Sequence, residues 1–184
     1  MKLLLIIFTV LQSLFAMLEQ KTLQSDFSLS VAEGQAQPMT YTGTLSMHGK
    51  QFALEMLGIE AAYDGTTMYM YSEDAEELTL SNPTEEELTE TNPFLYAKAL
   101  LPVCKQTEKV VGDKTQITLT PKNQNDEISK FILRVTTNSL IPVSAEIHET
   151  TGNITTLRLN NAQYTDSVPR FVIEKADAFI NDLR

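Results

Sequence analysis

The sequence predicts a mainly β fold, in which an antiparallel sheet curls into a barrel or part of one and helices lie over its open face. Short segments that alternate between apolar and polar residues run through most of the 184 residues, and their spacing is typical of a large antiparallel sheet. One helical stretch, residues 82–102, interrupts them. Its second half is apolar around more of its circumference than a surface helix, so we expect it to lie against an apolar sheet face. An ordinary helix packed on an ordinary sheet, without a space between them, is the alternative.

The composition indicates one acidic domain. Hydrophobic residues make up 42% of the chain and charged residues 21%, which is an ordinary globular mixture, and the length suffices for one domain with a sizeable core. The formal charge of −10 argues against binding to nucleic acid and against electrostatic adhesion to anionic lipid. The lone cysteine, Cys104, is expected to be a small buried apolar residue. We predict neither a metal site nor a cofactor.

The first 16 residues are typical of a secretory signal peptide. Lys2 supplies the positive start, Leu3–Leu11 form an apolar run, and Ala16 is a small residue that suits a cleavage site. The run is too short to span a bilayer comfortably, which takes about 20 residues, although a retained anchor is the alternative. We therefore predict cleavage after Ala16 and a single mature domain over residues 17–184.

The strand pattern begins after residue 21 and is resumed after the helical stretch. Alternation predicts strands over residues 22–31, 40–47, 52–56, 66–71, 76–81, 105–111, 115–120, 128–135, 140–147 and 154–160. Asp64-Gly65 predicts a two-residue hairpin turn. Residues 68–71 are apolar on both faces, so that strand should be covered on both sides or carry something other than water on its second face. For the tail, residues 169–184, we expect a strand around Phe171 and Ile173 and then a turn or helical hook.

The helical stretch contains two predicted helices. Thr84 with Glu87 three residues later forms a capping box for the first. Asn92 at the N-cap and Pro93 at the first helical position start the second, which Pro102 ends.

Acidic residues are dense between Glu73 and Glu90, but they do not form a convincing catalytic set. A run of like charge is usually a solvated face, and acids at a helix start are favoured by the helix dipole. A docking patch for a basic partner and, more remotely, a hydrolase that uses these acids with Glu87 are the alternatives. No phosphate loop or nucleophile elbow is present in the sequence, and we predict that the protein is not an enzyme.

Several stretches together resemble the LolA family of periplasmic lipoprotein carriers. They are residues 62–71 (AYDGTTMYMY), 119–122 (LTPK), 128–135 (ISKFILRV), 142–144 (PVS), 82–88 with 92–94 (NPTEEEL and NPF, as in Bacteroides-type relatives), Phe171 and the ending Asp182-Leu183-Arg184. The likeness extends from about Asp26 to Arg184. It implies an unclosed, strongly curved antiparallel β-barrel with a helical lid over an apolar cavity. It also implies a periplasmic carrier, a monomer, that takes acylated lipoproteins from an inner-membrane ABC-type releasing complex to an outer-membrane acceptor that we cannot name.

The resemblance assigns roles to apolar residues whose simplest interpretation is core filling. The candidates for the acyl-chain cavity are Phe27, Leu29, Leu45, Met47, Phe52, Leu54, Met56, Met68, Met70, Phe131, Leu133, Ile147 and Leu157. The candidates for the lid are Leu88, Phe94, Leu95, Leu100 and Leu101. Methionine adapts to irregular shapes and suits a loose pocket from which cargo must leave again.

Two features depart from the family pattern. The N-terminal helix of the family is expected to be short or missing, since only Met17–Lys21 separate the proposed cleavage site from the first strand. The arginine that classical members carry before the third strand is replaced by His48-Gly49-Lys50, so Lys50 is the candidate latch for the lid. A periplasmic lipid- or protein-binding sensor or structural module on the same fold is the alternative function.

Overall fold

The computed structural model describes residues 9–34, 36–123 and 127–184. In these residues, twelve strands form one sheet and three helices accompany it. The helices are α1 (Val10–Gln20), α2 (Glu85–Thr91) and α3 (Pro93–Leu100). The strands are β1 (Thr22–Ala32), β2 (Met39–His48), β3 (Gln51–Met56), β4 (Ile59–Tyr63), β5 (Met68–Ser72), β6 (Glu77–Ser81), β7 (Cys104–Val111), β8 (Lys114–Pro121), β9 (Ile128–Thr136), β10 (Pro142–Glu149), β11 (Ile154–Thr165) and β12 (Phe179–Asp182).

The sheet is curved but unclosed, as predicted. Its order is β12-β6-β5-β4-β3-β2-β1-β11-β10-β9-β8-β7, so β12 and β7 are its two edges. Neighbouring strands pair antiparallel except β12, which joins β6 in parallel. The chain passes from β6 near one edge to β7 at the other through α2 and α3. Side chains alternate between the sheet's two faces, and we call the face towards the helices the inner face.

Helix α1 corrects the expectation that the N-terminal helix is short or missing. It has 11 residues and a capping box at Thr9. Leu11, Leu14 and Leu18 share one side at helical spacing and are 1%, 0% and 2% exposed. The residues interpreted as the end of a signal peptide therefore also form an amphipathic helix in the core. Cleavage after Ala16 would divide this helix, and the cleavage site stays a prediction. Residues 1–8, which belong to the predicted signal peptide, lie outside the described residues.

Both predicted helix starts at the lid are confirmed. In α2, the Thr84 hydroxyl accepts a hydrogen bond from Glu87 N at 3.3 Å, and Glu87 Oε2 accepts one from Thr84 N at 2.7 Å. The bond from the Thr84 backbone lowers the pKa of Glu87. In α3, Asn92 Oδ1 accepts from Phe94 N at 2.9 Å, and Pro93 occupies the first turn. Glu87 thus forms part of the cap that starts α2.

The turn after β4 differs from the two-residue hairpin that Asp64-Gly65 predicted. Strand β4 ends at Tyr63 and β5 begins at Met68, so four residues connect them. Asp64 Oδ1 accepts hydrogen bonds from Thr66 N at 2.9 Å and Thr67 N at 2.8 Å. Asp64 N also donates a hydrogen bond to Thr67 O at 3.2 Å. The turn is therefore closed over Gly65 and Thr66, one residue later than predicted, and the aspartate side chain stabilises it.

The C-terminal tail also differs from its prediction. Residues 166–178 form no regular strand, and the strand follows them at Phe179–Asp182. Phe171 is 2% exposed, and Lys175 Nζ lies 4.5 Å from the centre of the Tyr71 ring and 2.5 Å from Glu60 Oε1. The tail thus covers part of the outer face of β4 and β5. On the inner face of β5, Met68 is buried but Met70 is 45% exposed, so the covering predicted for residues 68–71 is incomplete.

An ion cluster lies on the outer face of β9 and β10. Glu146 pairs with Arg134 and lies 3.0 Å from His148 Nε2. Burial raises the pKa of the Glu146 carboxyl, but the hydrogen bonds from His148 and Arg134 outweigh it, and the net pKa is lowered. Cys104, at the start of β7, is buried in the core as expected.

Candidate functional site

A cavity of about 720 Å³ lies between the inner face of the sheet and the lid helices. This volume is within the usual range for ligand pockets, about 300–1,000 Å³. Strands β1, β2, β3, β9, β10 and β11 form its walls, and α2 and α3 cover it. It is lined by Phe27, Leu29, Leu45, Leu54, Met56, Thr89, Glu90, Thr91, Pro93, Tyr96, Glu127, Ile128, Ala145, Ile147, Glu149, Thr150, Thr151, Thr155 and Leu157.

The predicted cavity residues divide into two groups. The residues that line the cavity are Phe27, Leu29, Leu45, Leu54, Met56, Ile147 and Leu157. The others do not line it: Met47, Phe52, Met68, Phe131 and Leu133 are at most 7% exposed and packed in the core, and Met70 lies exposed on the inner face of β5. The division follows from α1, which packs against β1, β2 and β8. One end of the barrel is therefore solid, and the hollow is confined to the other.

Helices α2 and α3 of the predicted lid cover the cavity, and the predicted lid residues lie in or against the core. Leu88 and Phe94 are 5% and 2% exposed and belong to the core. Leu95, Leu100 and Leu101 pack against that core as well. The lid residues that line the cavity are Thr89, Glu90, Thr91, Pro93 and Tyr96.

Tyr96 is the lid residue that sequence reasoning missed. Its ring contacts Phe131 edge-on, with the ring centres 6.1 Å apart. Burial raises the pKa of Tyr96, with smaller contributions from Cys104, Glu127 and Glu149. Helix α3 buries Phe94 and Ala97 on one side, and at 100° per residue Tyr96 falls on another. A tyrosine within an apolar helix was the available signal, since its polar tip needs a wet or hydrogen-bonded place.

Lys50 connects the β2–β3 turn to the lid. Its Nζ lies 3.0 Å from Oε1 of Glu85, the first residue of α2. The hydrogen bond to Glu85 raises the pKa of Lys50. Both side chains are largely exposed, at 58% and 89%, so the pair is worth at most about 1 kcal/mol. Its role as a latch stays a prediction.

Carboxylates and threonines form the polar part of the cavity lining. Glu90 comes from α2, Glu127 from the loop before β9 and Glu149 from the end of β10. Glu149 Oε2 accepts hydrogen bonds from Thr151 Oγ1 at 2.8 Å and Asn153 Nδ2 at 2.9 Å. Among the described residues that line the cavity, none is a lysine, an arginine or a histidine.

A second cavity, of about 580 Å³, lies between the outer face and the tail segment Arg170–Ile173. Asp26, Glu55, Glu60 and Ser46 line it among others, and no sequence pattern predicted it.

Within residues 9–34, 36–123 and 127–184, no group of three or more His, Cys, Asp or Glu side chains is placed to hold a metal ion. In the same ranges, no helix combines the length and hydropathy that crossing a membrane requires.

Comparisons with known proteins agree with this architecture. An uncharacterized conserved protein from Thermus thermophilus has a similar structure, with a TM-score of 0.63, 10% identity and coverage of 94% of this chain and 96% of that one. The Pseudomonas aeruginosa MucA/MucB complex contains another, with a TM-score of 0.53, 15% identity and coverage of 87% and 57%. At these identities the likeness shows the fold alone. No curated protein matches the sequence.

A family model decides the relationship. The model described as "Outer membrane lipoprotein carrier protein LolA" matches residues 18–172, which is most of the chain. The chain therefore belongs to the LolA family.

Proposed function

We propose that this protein carries lipoprotein acyl chains across the periplasm, from the inner to the outer membrane, and catalyses no reaction. The observation that carries the proposal is the lidded apolar cavity of about 720 Å³ in a chain of the LolA family. An acyl chain in water costs about 0.8 kcal/mol for each exposed CH₂ group. A carrier must therefore offer a dry wall for most of the chain's length, and Leu29, Leu54, Met56 and Leu157 supply such a wall.

The same cavity suits release as well as binding. Its apolar lining is buried or half-buried, and its exposed lining residues are polar ones from α2, from the loop before β9 and from the β10–β11 turn. Under this proposal an inner-membrane ABC-type releasing complex loads the cavity, and an outer-membrane acceptor of unknown identity empties it. The chain then acts as a monomer in the periplasm, where a targeting segment at its N-terminus would deliver it.

A substitution that fills the cavity without adding charge tests the proposal. Ala145 is 4% exposed and lies on the cavity wall between Leu133 and Leu157. Ala145→Phe should reduce the amount of acylated lipoprotein that co-purifies with the protein, measured by mass spectrometry, by about tenfold. Ala176→Phe, at an exposed tail position, is the matched control. Equal cargo on both variants, or no lipidated cargo on the parent protein, would contradict the proposal.

A cellular experiment tests the direction of transport. Depletion of the protein should leave lipoproteins in the inner-membrane fraction, and the parent chain should restore their sorting. The Ala145→Phe variant should fail to restore it at equal protein level. Normal sorting after depletion would remove the transport function even if the cavity binds lipid.

A protein-binding module is the second candidate. The MucA/MucB structure shares the fold, and that complex joins two proteins. On this chain, Phe179 and Ile180 of edge strand β12 are 69% and 56% exposed, and an edge strand offers unpaired backbone groups to a partner strand. If this candidate holds, Phe179→Ser should release a co-purifying protein, while Ala145→Phe should have no effect.

A further inference from the structure

Among the residues that the structure describes, the charged side chains that line the cavity all have the same sign. They are Glu90, Glu127 and Glu149, and they come from three separate elements. The remaining polar lining consists of threonines and Tyr96. Apolar walls with carboxylates and no opposing cation are complementary to an amphiphile that joins apolar chains to a positive group.

The sheet's alternation explains why basic residues near the cavity do not neutralise this charge. Phe131 pairs with Ile147, which points to the cavity, and the next pair, Lys130 with His148, therefore points to the outer face. His148 is engaged there by Glu146, at 3.0 Å. The described basic residues Lys130 and His148 thus lie on the opposite side of the sheet from the cavity.

Two of the three glutamates are anchored by hydrogen bonds, Glu127 through its backbone and Glu149 through its carboxylate. Glu127 O accepts hydrogen bonds from Thr150 N at 2.9 Å and Thr150 Oγ1 at 3.0 Å, which ties the loop before β9 to the β10–β11 turn. Glu149 is fixed on the same turn by Thr151 and Asn153. Glu90 is exposed on α2 across the cavity. A peptide that follows an acyl group out past this polar part of the lining would meet the negative charges of Glu90, Glu127 and Glu149, of which that of Glu149 is fixed by hydrogen bonds.

We propose that the cavity favours acyl chains attached to a basic peptide segment and disfavours those attached to an acidic one. This inference rests on the proposed carrier function and names its cargo class: lipoproteins with lysine or arginine directly after the acylated residue. The acyl chains supply most of the affinity, and the three glutamates supply the selection between cargoes. Because part of the lining is exposed to solvent, the selection weakens as salt screens the charges.

Two synthetic peptides test the selection in the full protein. Both carry identical acyl chains on an N-terminal cysteine; one continues with serine, four lysines and a tryptophan, and the other has four glutamates in place of the lysines. The protein contains no tryptophan, so the peptide's fluorescence reports binding alone. At about 50 mM salt we expect the basic peptide to bind about tenfold more tightly, and at 0.5 M salt the ratio should fall below about threefold, since the Debye length shrinks to only a few ångströms.

Two triple variants separate the cavity carboxylates from the protein's overall negative charge. Glu90→Gln/Glu127→Gln/Glu149→Gln should abolish the preference, weakening the basic peptide and strengthening the acidic one. The control Asp74→Asn/Glu86→Gln/Asp177→Asn changes the net charge equally at exposed positions that do not line the cavity, and it should keep most of the preference. A gain in affinity for the acidic peptide cannot come from misfolding. The single variant Glu90→Gln, at an exposed site, tests the same loss of preference, with a smaller expected change.

The outcomes distinguish this inference from the carrier function. Equal affinities for both peptides in the parent protein, or loss of the preference in the control variant, would overturn the selection and leave the carrier function standing. Failure of both peptides to bind the parent protein would overturn the carrier function as well.

Discussion

Replacement of Leu14 by alanine should destabilise the protein strongly, because helix α1 belongs to the folded core. Leu14 is fully buried, between Leu11 and Leu18 on the same helix side. Truncation of a buried leucine to alanine costs about 2–5 kcal/mol, depending on how far the site collapses. The side chain has no exposed surface, so we expect about 3 kcal/mol. For a domain of this size each kcal/mol lowers the melting temperature by about 2–4 °C, which gives a decrease of about 6–12 °C.

Thermal unfolding followed by circular dichroism measures this change, and the chain offers a matched control. Leu183→Ala makes the same chemical change at a side chain that is 64% exposed, where we expect an effect within about 0.5 kcal/mol. If Leu14→Ala melts within about 2 °C of the parent protein, as the control should, helix α1 is not part of the cooperative fold.

A shortened chain that begins at Met17 extends the same reasoning. It lacks Leu11 and Leu14, the Thr9 cap, and the hydrogen bond from Val10 N to Glu108 Oε1 at 2.9 Å. Loss of two buried leucines alone amounts to about 4–10 kcal/mol, which is comparable to the whole stability of an ordinary domain, about 5–15 kcal/mol. We therefore expect this chain to be largely unfolded at 37 °C. A folded chain of this length would instead support cleavage after Ala16.

Three further substitutions test other parts of the structure. Gly43→Ala should lower the free energy of unfolding, measured by chemical denaturation, by about 1–3 kcal/mol, since a Cβ there would lie 2.0 Å from the Glu55 carbonyl oxygen. A decrease below about 0.5 kcal/mol would contradict this close contact between Gly43 and Glu55. Lys50→Gln should speed release of a bound fluorescent fatty acid by no more than about fivefold, because the exposed pair with Glu85 is worth at most about 1 kcal/mol, and unchanged release would show that Lys50 is no latch. Glu146→Gln should lower the free energy of unfolding by about 1–2 kcal/mol at pH 7 and by progressively less below pH 4.5. Because the pKa of Glu146 is lowered in the folded protein, the stabilisation by its carboxylate is complete above the ordinary pKa of 4.5. This stabilisation is lost as the pH falls through the folded-state pKa. An equal cost at pH 7 and pH 3 would refute that sign.

The features that sequence predicted well depend on local chemistry. Thr84 and Asn92 begin helices because their side chains bond to nearby backbone N–H groups, whatever the rest of the chain does. The turn at Gly49 and the alternation of β1 to β3 are equally local, and the structure has both. Such signals specify the elements and which face of each strand is apolar.

The features that sequence missed depend on contacts between distant segments. Leu14 has the same hydropathy in a signal peptide and in an amphipathic helix, so its hydropathy could not predict that it is buried in the core. The inner faces of β2 and β3 are apolar throughout, yet Met47 and Phe52 are covered by packing while Leu45 and Leu54 face the cavity. Alternation cannot tell a filled end of a barrel from a hollow one. The side of α3 that faces the cavity was missed for the same reason.

Chain connectivity restricts how the lid can open. Helices α2 and α3 leave the sheet at β6 and rejoin it at β7, so the lid is held at both ends. The connections at Asn82–Thr84 and Leu101–Val103 lie outside regular helix and strand, whereas Leu88 and Phe94 anchor the helices in the core. A wide swing would expose both anchors, at a cost of about 1.5–3 kcal/mol for each. An opening that keeps Leu88 and Phe94 buried therefore costs less than a wide swing. Under the proposed carrier function, such a limited opening beside Glu90, which is exposed on α2 and lines the cavity, would bring cargo past the carboxylates that we propose select it.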